Sequence, residues 1–185
     1  FFVFDKLQKP PVLPKIFLMF FIGLVISSHS PRFMPSTGFA AFMPVLQAKP
    51  YESSHAVGDR FTVNIEVDRM KSLYAYQADI LYNPAVLRLD KVQQGTFLSK
   101  EFADTVLYNT PDTSVPGIIK HVVESRTGAG DATGSGTLLK LTFTVIGAGE
   151  SKILFDHIKL LDADGAEIPI ILSQAAVHGL ELPKT

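Results

Sequence analysis

Phe61-Thr62-Val63-Asn64-Ile65-Glu66-Val67 alternates apolar and polar side chains without a break. Successive side chains of a strand point to opposite faces, so this spacing predicts a β-strand with one buried face. Val57-Gly58-Asp59 supplies the turn that precedes it. Residues 73–82 alternate in the same way, with Tyr74, Tyr76, Ala78, Ile80 and Tyr82 on one side and Ala75, Gln77, Asp79 and Leu81 on the other. The bulkier set is expected to face the core. Asn83-Pro84 ends this ladder, because proline has no N–H to donate and disfavours helix in the residue before it.

Downstream the same grammar repeats. Residues 86–92 resume alternation, and Gly95-Thr96-Phe97-Leu98 reads as the loop leaving them. A weaker strand is expected at 105–109, then a turn-rich stretch at 110–117 and a strand at 118–126. Residues 127–136 are glycine-rich and read as a flexible loop. Residues 138–145 place Leu139, Leu141, Phe143 and Val145 inward, and Gly147-Ala148-Gly149 closes that strand. Residues 151–161 form the next strand, Asp164-Gly165 is a hairpin dipeptide, and 168–177 supply the last strand. No segment here sustains a helical period. Eight or nine short strands separated by turns predict an all-β sandwich of two sheets, jelly-roll or immunoglobulin-like.

Before this region, residues 16–26 form an unbroken apolar run, preceded by Lys6, Lys9 and Lys15. The run is too short to cross ~30 Å of hydrocarbon as a straight helix and has the length of a signal-peptide core. Ser28-His29-Ser30 and Phe39-Ala40-Ala41 offer small-residue cleavage patterns. The expected organisation is a signal peptide or membrane anchor with its linker at 1–41, the sandwich at 42–180 and a tail at 181–185. The sandwich is expected to be secreted or held at the cell surface, with membrane contact only through an uncleaved N-terminal segment.

Composition narrows the function classes. The formal net charge of −1 provides no basic field for a phosphate backbone, so nucleic acid is not an expected partner. The chain has no cysteine, which excludes disulfides, cysteine zinc sites and thiol nucleophiles. Asp162, Asp164 and Glu167 lie too close together for a complete calcium loop and read as a solvated hairpin. Residues 128–136 lack the lysine of a phosphate loop and precede a strand. His29, His55, His121, His157 and His178 are scattered singly, and Ser125 and Ser135 lack the glycines of a nucleophile elbow. Carboxylates are plentiful, but a sandwich this small has little room for the cleft that a glycosidase pair needs. The sequence therefore predicts no catalytic residues, no metal and no cofactor.

A binding surface is the better expectation. Gln77, Asp79 and Leu81, with Lys120, Glu124 and Arg126 on the 118–126 strand, are candidates for a mixed polar and apolar patch suited to protein recognition. There is no tryptophan, and Tyr51 and Tyr108 are the only tyrosines outside the expected core set. Sugar platforms usually stack rings on exposed aromatics, so polysaccharide binding is the second reading. A structural piece of a larger surface protein is the third.

The ordered motifs also resemble those of a known family. Residues 57–63, the Leu73-Tyr74-Ala75-Tyr76-Gln77 segment and Leu81-Tyr82-Asn83-Pro84-Ala85-Val86-Leu87 resemble the opening of a cohesin domain. Gly95-Thr96-Phe97-Leu98, Gly134-Ser135-Gly136-Thr137-Leu138 with Leu141-Thr142-Phe143, Gly147-Ala148-Gly149 and residues 160–168 follow in the same order. The similarity spans about residues 44–178. It implies a nine-stranded jelly-roll sandwich, non-catalytic, that binds calcium-loaded dockerin modules in extracellular or polysaccharide-degrading assemblies. It places the binding face on the strand that ends in Tyr-Asn-Pro, at Ala75, Gln77, Asp79 and Leu81. Well-studied dockerin binders carry an asparagine and an aspartate where Ala75 and Gln77 stand here, so recognition of an ordinary dockerin does not follow from the resemblance.

Overall fold

A computed structural model describes residues 43–100, 104–107, 111–128 and 130–181, with the backbone alone described at 104–107. The apolar run at 16–26, Tyr108 and most of the C-terminal tail lie outside the described residues. The strands are β1 (Val45–Lys49), β2 (Glu52–Ala56), β3 (Arg60–Leu73), β4 (Ala75–Leu81), β5 (Leu87–Gln94) and β6 (Asp104–Leu107). They continue as β7 (Ile118–Thr127), β8 (Ala132–Val145), β9 (Gly149–Leu161), β10 (Ile171–Ser173) and β11 (Ala175–Leu180). One sheet runs β10-β1-β3-β8-β5 and the other β2-β11-β9-β4-β7-β6. This is the expected all-β sandwich.

Alternation decides which residues fill the space between the sheets. Val63, Ile65 and Val67 of β3 are buried, and so are Leu139, Leu141, Phe143 and Val145 of β8. In register, Phe61 pairs with Phe143, Val63 with Leu141 and Ile65 with Leu139. Tyr76, Ala78, Ile80 and Tyr82 are buried on the opposing sheet, as expected. Tyr74 departs from that set: it is half-buried at a bend before β4, and its hydroxyl donates to the Gly128 carbonyl.

Three segments differ from the sequence reading. Residues 132–136 belong to β8 rather than to a loop, since Gly136 and Gly134 pair with Val67 and Met70 on a lengthened β3. The 168–177 stretch is two strands that part at Gln174, β10 lying parallel to β1 in one sheet and β11 parallel to β2 in the other. β1 and β2 precede the first strand read from alternation, and their five residues each are too few to display a period. These divisions raise the strand number above the expected nine.

Turn chemistry fixes where β4 ends. The Asn83 carbonyl accepts from the N–H groups of Val86 and Leu87, and its side-chain oxygen accepts from Ala85 N–H. Its side-chain nitrogen donates to the Glu150 carbonyl, tying the turn to β9. The Gly95 motif closes the other end of β5, with Phe97 and Leu98 buried. A Cβ on Gly95 would lie 2.0 Å from the Thr137 carbonyl oxygen, a backbone atom that cannot rotate away. Gly95→Ala is therefore expected to cost at least the ~1–3 kcal/mol typical of overpacked sites in chemical denaturation. Gly58→Ala meets nothing within 4 Å and should cost less, only the strain of its positive φ. Equal losses for the two variants would contradict this account.

The outer face of the five-stranded sheet is closed upon itself. Asp90 accepts from the Thr144 hydroxyl and pairs with Arg88 at 3.1 Å and Arg60 at 3.3 Å. The Thr144 hydrogen bond, then Arg88 and Arg60, hold the Asp90 carboxyl below its ordinary range. This face is ordinary solvated polar surface.

Candidate recognition face

The outer face of the other sheet is built differently. β4 lies between β9 and β7, and its outward positions are Ala75, Gln77, Asp79 and Leu81, as the alternation predicts. Leu81 stands in register with Leu154 of β9 and Ile118 of β7, all three half-buried. They form an apolar row across three strands. Gln77 stands between Lys159 and Val123, and Ala75 between Leu161 and Ser125.

Asp79 occupies the middle of this face and is only 6% exposed. A buried carboxylate must find donors, and both neighbouring strands supply one. One oxygen accepts from His121 N–H at 2.8 Å, and the other lies 3.0 Å from His157 Nδ1. Each histidine sits at a β-bulge. β7 shifts register between the partners of Ala78 and Ile80, and β9 shifts between those of Gln77 and Asp79. His121 has φ of 57° and His157 of 46°, the left-handed region that a non-glycine residue occupies only when its surroundings hold it there. The Asp79 carboxylate thus fastens two bulges at one level of the sheet. Asp156 stands opposite Asp79, accepts from His157 N–H at 2.8 Å and has its other oxygen 3.5 Å from His157 Nδ1.

The bulges correct part of the expected patch. Glu124 and Arg126 are 2% and 4% exposed and point into the sandwich. The extra residue at His121 reverses the alternation, so the even-numbered residues that face outward at Ile118 and Lys120 turn inward at Val122, Glu124 and Arg126. Inside, Glu124 accepts from the Tyr76 hydroxyl at 2.8 Å and from the Gln94 side chain, and Arg126 donates to the Leu98 carbonyl at 2.9 Å. Burial, then the neighbouring Glu124 charge, push the Tyr76 hydroxyl well above its ordinary pKa. Lys120 stays with the face, sharing the position opposite Asp79 with His121.

Sequence reading missed His121, His157, Asp156, Leu154 and Ile118. The two histidines are far apart in the chain and meet only because β7 and β9 flank β4. No group of three or more metal-ligating side chains suited to an ion occurs among the described residues. At the 162–167 turn, Asp162 accepts from the N–H groups of Asp164 and Ala166, as a hairpin carboxylate does. Tyr51 is the one large aromatic well exposed among the described residues.

The sequence profile of the cohesin domain matches residues 46–171. The chain belongs to the cohesin family. No curated protein sequence matches it significantly. Among solved structures, this cohesin is similar to a non-cellulosomal cohesin from Archaeoglobus fulgidus at 15% identity and a TM-score of 0.60, covering 75% of this chain and 91% of that one. It is also similar to the seventh ScaB type I cohesin from Pseudobacteroides cellulosolvens, at 17% identity and a TM-score of 0.59, covering 77% and 95%. A third is the OlpC cohesin of Clostridium thermocellum, solved in complex with Doc435, a type I cohesin–dockerin complex, at 17% identity and a TM-score of 0.56, covering 77% and 97%. At these identities the likeness concerns the fold.

Proposed function

We infer that this cohesin is a non-catalytic module that docks a dockerin-bearing protein on the outer face of β9, β4 and β7. The observation that carries this reading is the Leu154, Leu81 and Ile118 row beside the Asp79 cluster. An apolar strip rimmed by polar groups loses water readily and still fixes orientation, which is what protein recognition requires. The other outer sheet face lacks such a strip at Asp90, where charges and hydroxyls are already engaged. Several similar cohesins have been solved with dockerins bound, which supports the class of partner. Ala75, Gln77, Leu81 and Lys120 remain the proposed contact set, now joined by His157 and Leu154, while Asp79 lies buried beneath them and acts through His157. Glu124 and Arg126 shape the face from behind, through Tyr76 and the Leu98 carbonyl.

The setting in this reading is secreted or at the cell surface, supported by the apolar run at 16–26 with the lysines before it. The polysaccharide alternative is weakened by the isolation of Tyr51 among the described residues, since one exposed ring there is not a stacking platform. An array of calcium-loaded dockerins, probed beside a polysaccharide affinity gel, tests the proposal. The expected result is capture of a subset of dockerins and passage through the gel. Retention on polysaccharide with every dockerin ignored would reject the reading.

A further inference from the structure

We propose that Asp79 and His157 form an oriented hydrogen-bond acceptor at the centre of the face, which receives a hydroxyl or amide donor of the docked dockerin. The proposal rests on the dockerin reading above and adds a specific atom and its polarity. His157 Nδ1 lies 3.0 Å from one Asp79 oxygen and 3.5 Å from one Asp156 oxygen. An ionised carboxylate only accepts, so in the neutral ring Nδ1 must carry the proton. The remaining nitrogen, Nε2, then holds a lone pair and lies on the far side of the ring from Asp79. The His157 side chain is 68% exposed although its partner carboxylate is buried, so this acceptor is open to solvent.

Asp79 is a positioning residue here. Its first oxygen holds the β7 bulge through His121 N–H, while its second sets the tautomer of His157 on β9. One buried carboxylate therefore fixes the shape of both bulges and the sign of the exposed nitrogen. An imidazole held in this way keeps few rotamers to lose on docking, and Leu81, the middle of the apolar row, lies two residues from Asp79 on β4. Without Asp79 only the longer 3.5 Å approach of Asp156 would face Nδ1, and Nε2 could then present a donor as well as an acceptor.

The test has a partner-free arm and a binding arm, both on the full chain. Two-bond proton–nitrogen correlation spectra of the neutral imidazoles should show His157 protonated at Nδ1 and bare at Nε2. Asp79→Asn keeps an acceptor for His121 N–H but offers an amide donor to Nδ1, so the Nε2-protonated form should gain population against the one carboxylate left near Nδ1, Asp156. His157→Asn places an amide nitrogen where Nδ1 stood, tolerates the left-handed backbone and leaves nothing facing outward. Against a dockerin selected from the array with the natural chain, each variant should weaken Kd by about tenfold, as for one lost or mismatched hydrogen bond. An Nε2-protonated His157 in the natural chain overturns the proposal, and so does His157→Asn binding with unchanged affinity. Capture of no dockerin by the natural chain overturns the dockerin reading and the partner assigned here, and the spectra then show separately whether Asp79 orients the ring.

Discussion

Phe143→Ala is expected to lower the free energy of unfolding by about 3–5 kcal/mol, read as a shift of the urea midpoint at constant slope. Phe143 is fully buried on β8 and stands in register with Phe61 of β3 on one side and Leu89 of β5 on the other. Its ring lies 6.0 Å from that of Phe61 and 5.2 Å from that of Tyr82, the latter at 61° in an edge-to-face contact. Truncation removes the transfer energy of the ring, opens a cavity that strands on both sides cannot collapse, and deletes two aromatic contacts. Domains of this size hold about 5–15 kcal/mol in total, so the variant should be marginal at ambient temperature. Phe61→Ala should cost less, because Phe61 is only half-buried, its ring stacked at 4.1 Å on that of His55 from the opposite sheet. A Phe143→Ala loss below that of Phe61→Ala would show that the core is centred elsewhere.

Tyr82 links that core residue to the recognition face, since it follows β4 directly and leads into the Asn83 turn. This part of the architecture was legible in the sequence. The alternation from Phe61 to Val67 and through β4 is a local consequence of one face being wet and the other dry, and Asn83-Pro84 ends a strand for reasons internal to two residues. Alternation alone therefore puts Ala75, Gln77, Asp79 and Leu81 on the outer face, where β4 carries them.

Glu124 and Arg126 were misplaced because a bulge carries no compositional signature when its left-handed residue is a histidine. Glycine at such a position would have announced it. His121 and His157 adopt φ above zero because an aspartate on a third strand accepts from one and pairs with the other, and that cause is not local in sequence. The burial of Glu124 was equally illegible, since a carboxylate reads as surface unless its partners, here Tyr76 and Gln94, are known to converge on it. The same holds for residues 132–136, whose glycines suggested a loop while β3 was long enough to pair with them.

Leu81→Asp is expected to weaken dockerin capture by about a hundredfold or more, some 3 kcal/mol, with the fold retained. Leu81 is the middle of the three apolar residues across β9, β4 and β7, so any partner surface that covers the row must desolvate it. An aspartate there removes the apolar contact and adds a carboxylate with no cation in register, since its cross-strand neighbours are Leu154 and Ile118. Leu81→Ala separates the two effects: losing the contact alone should cost about 1–2 kcal/mol, and the difference is the desolvation of the charge. Leu81 is half-buried with no hydrogen-bonded side chain to disturb, so both variants should retain most of their stability in urea. Undiminished capture by Leu81→Asp would move the interface off this face, to a strand edge or to the opposite sheet, and Arg60→Ala with Arg88→Ala would then be the variants that lose binding.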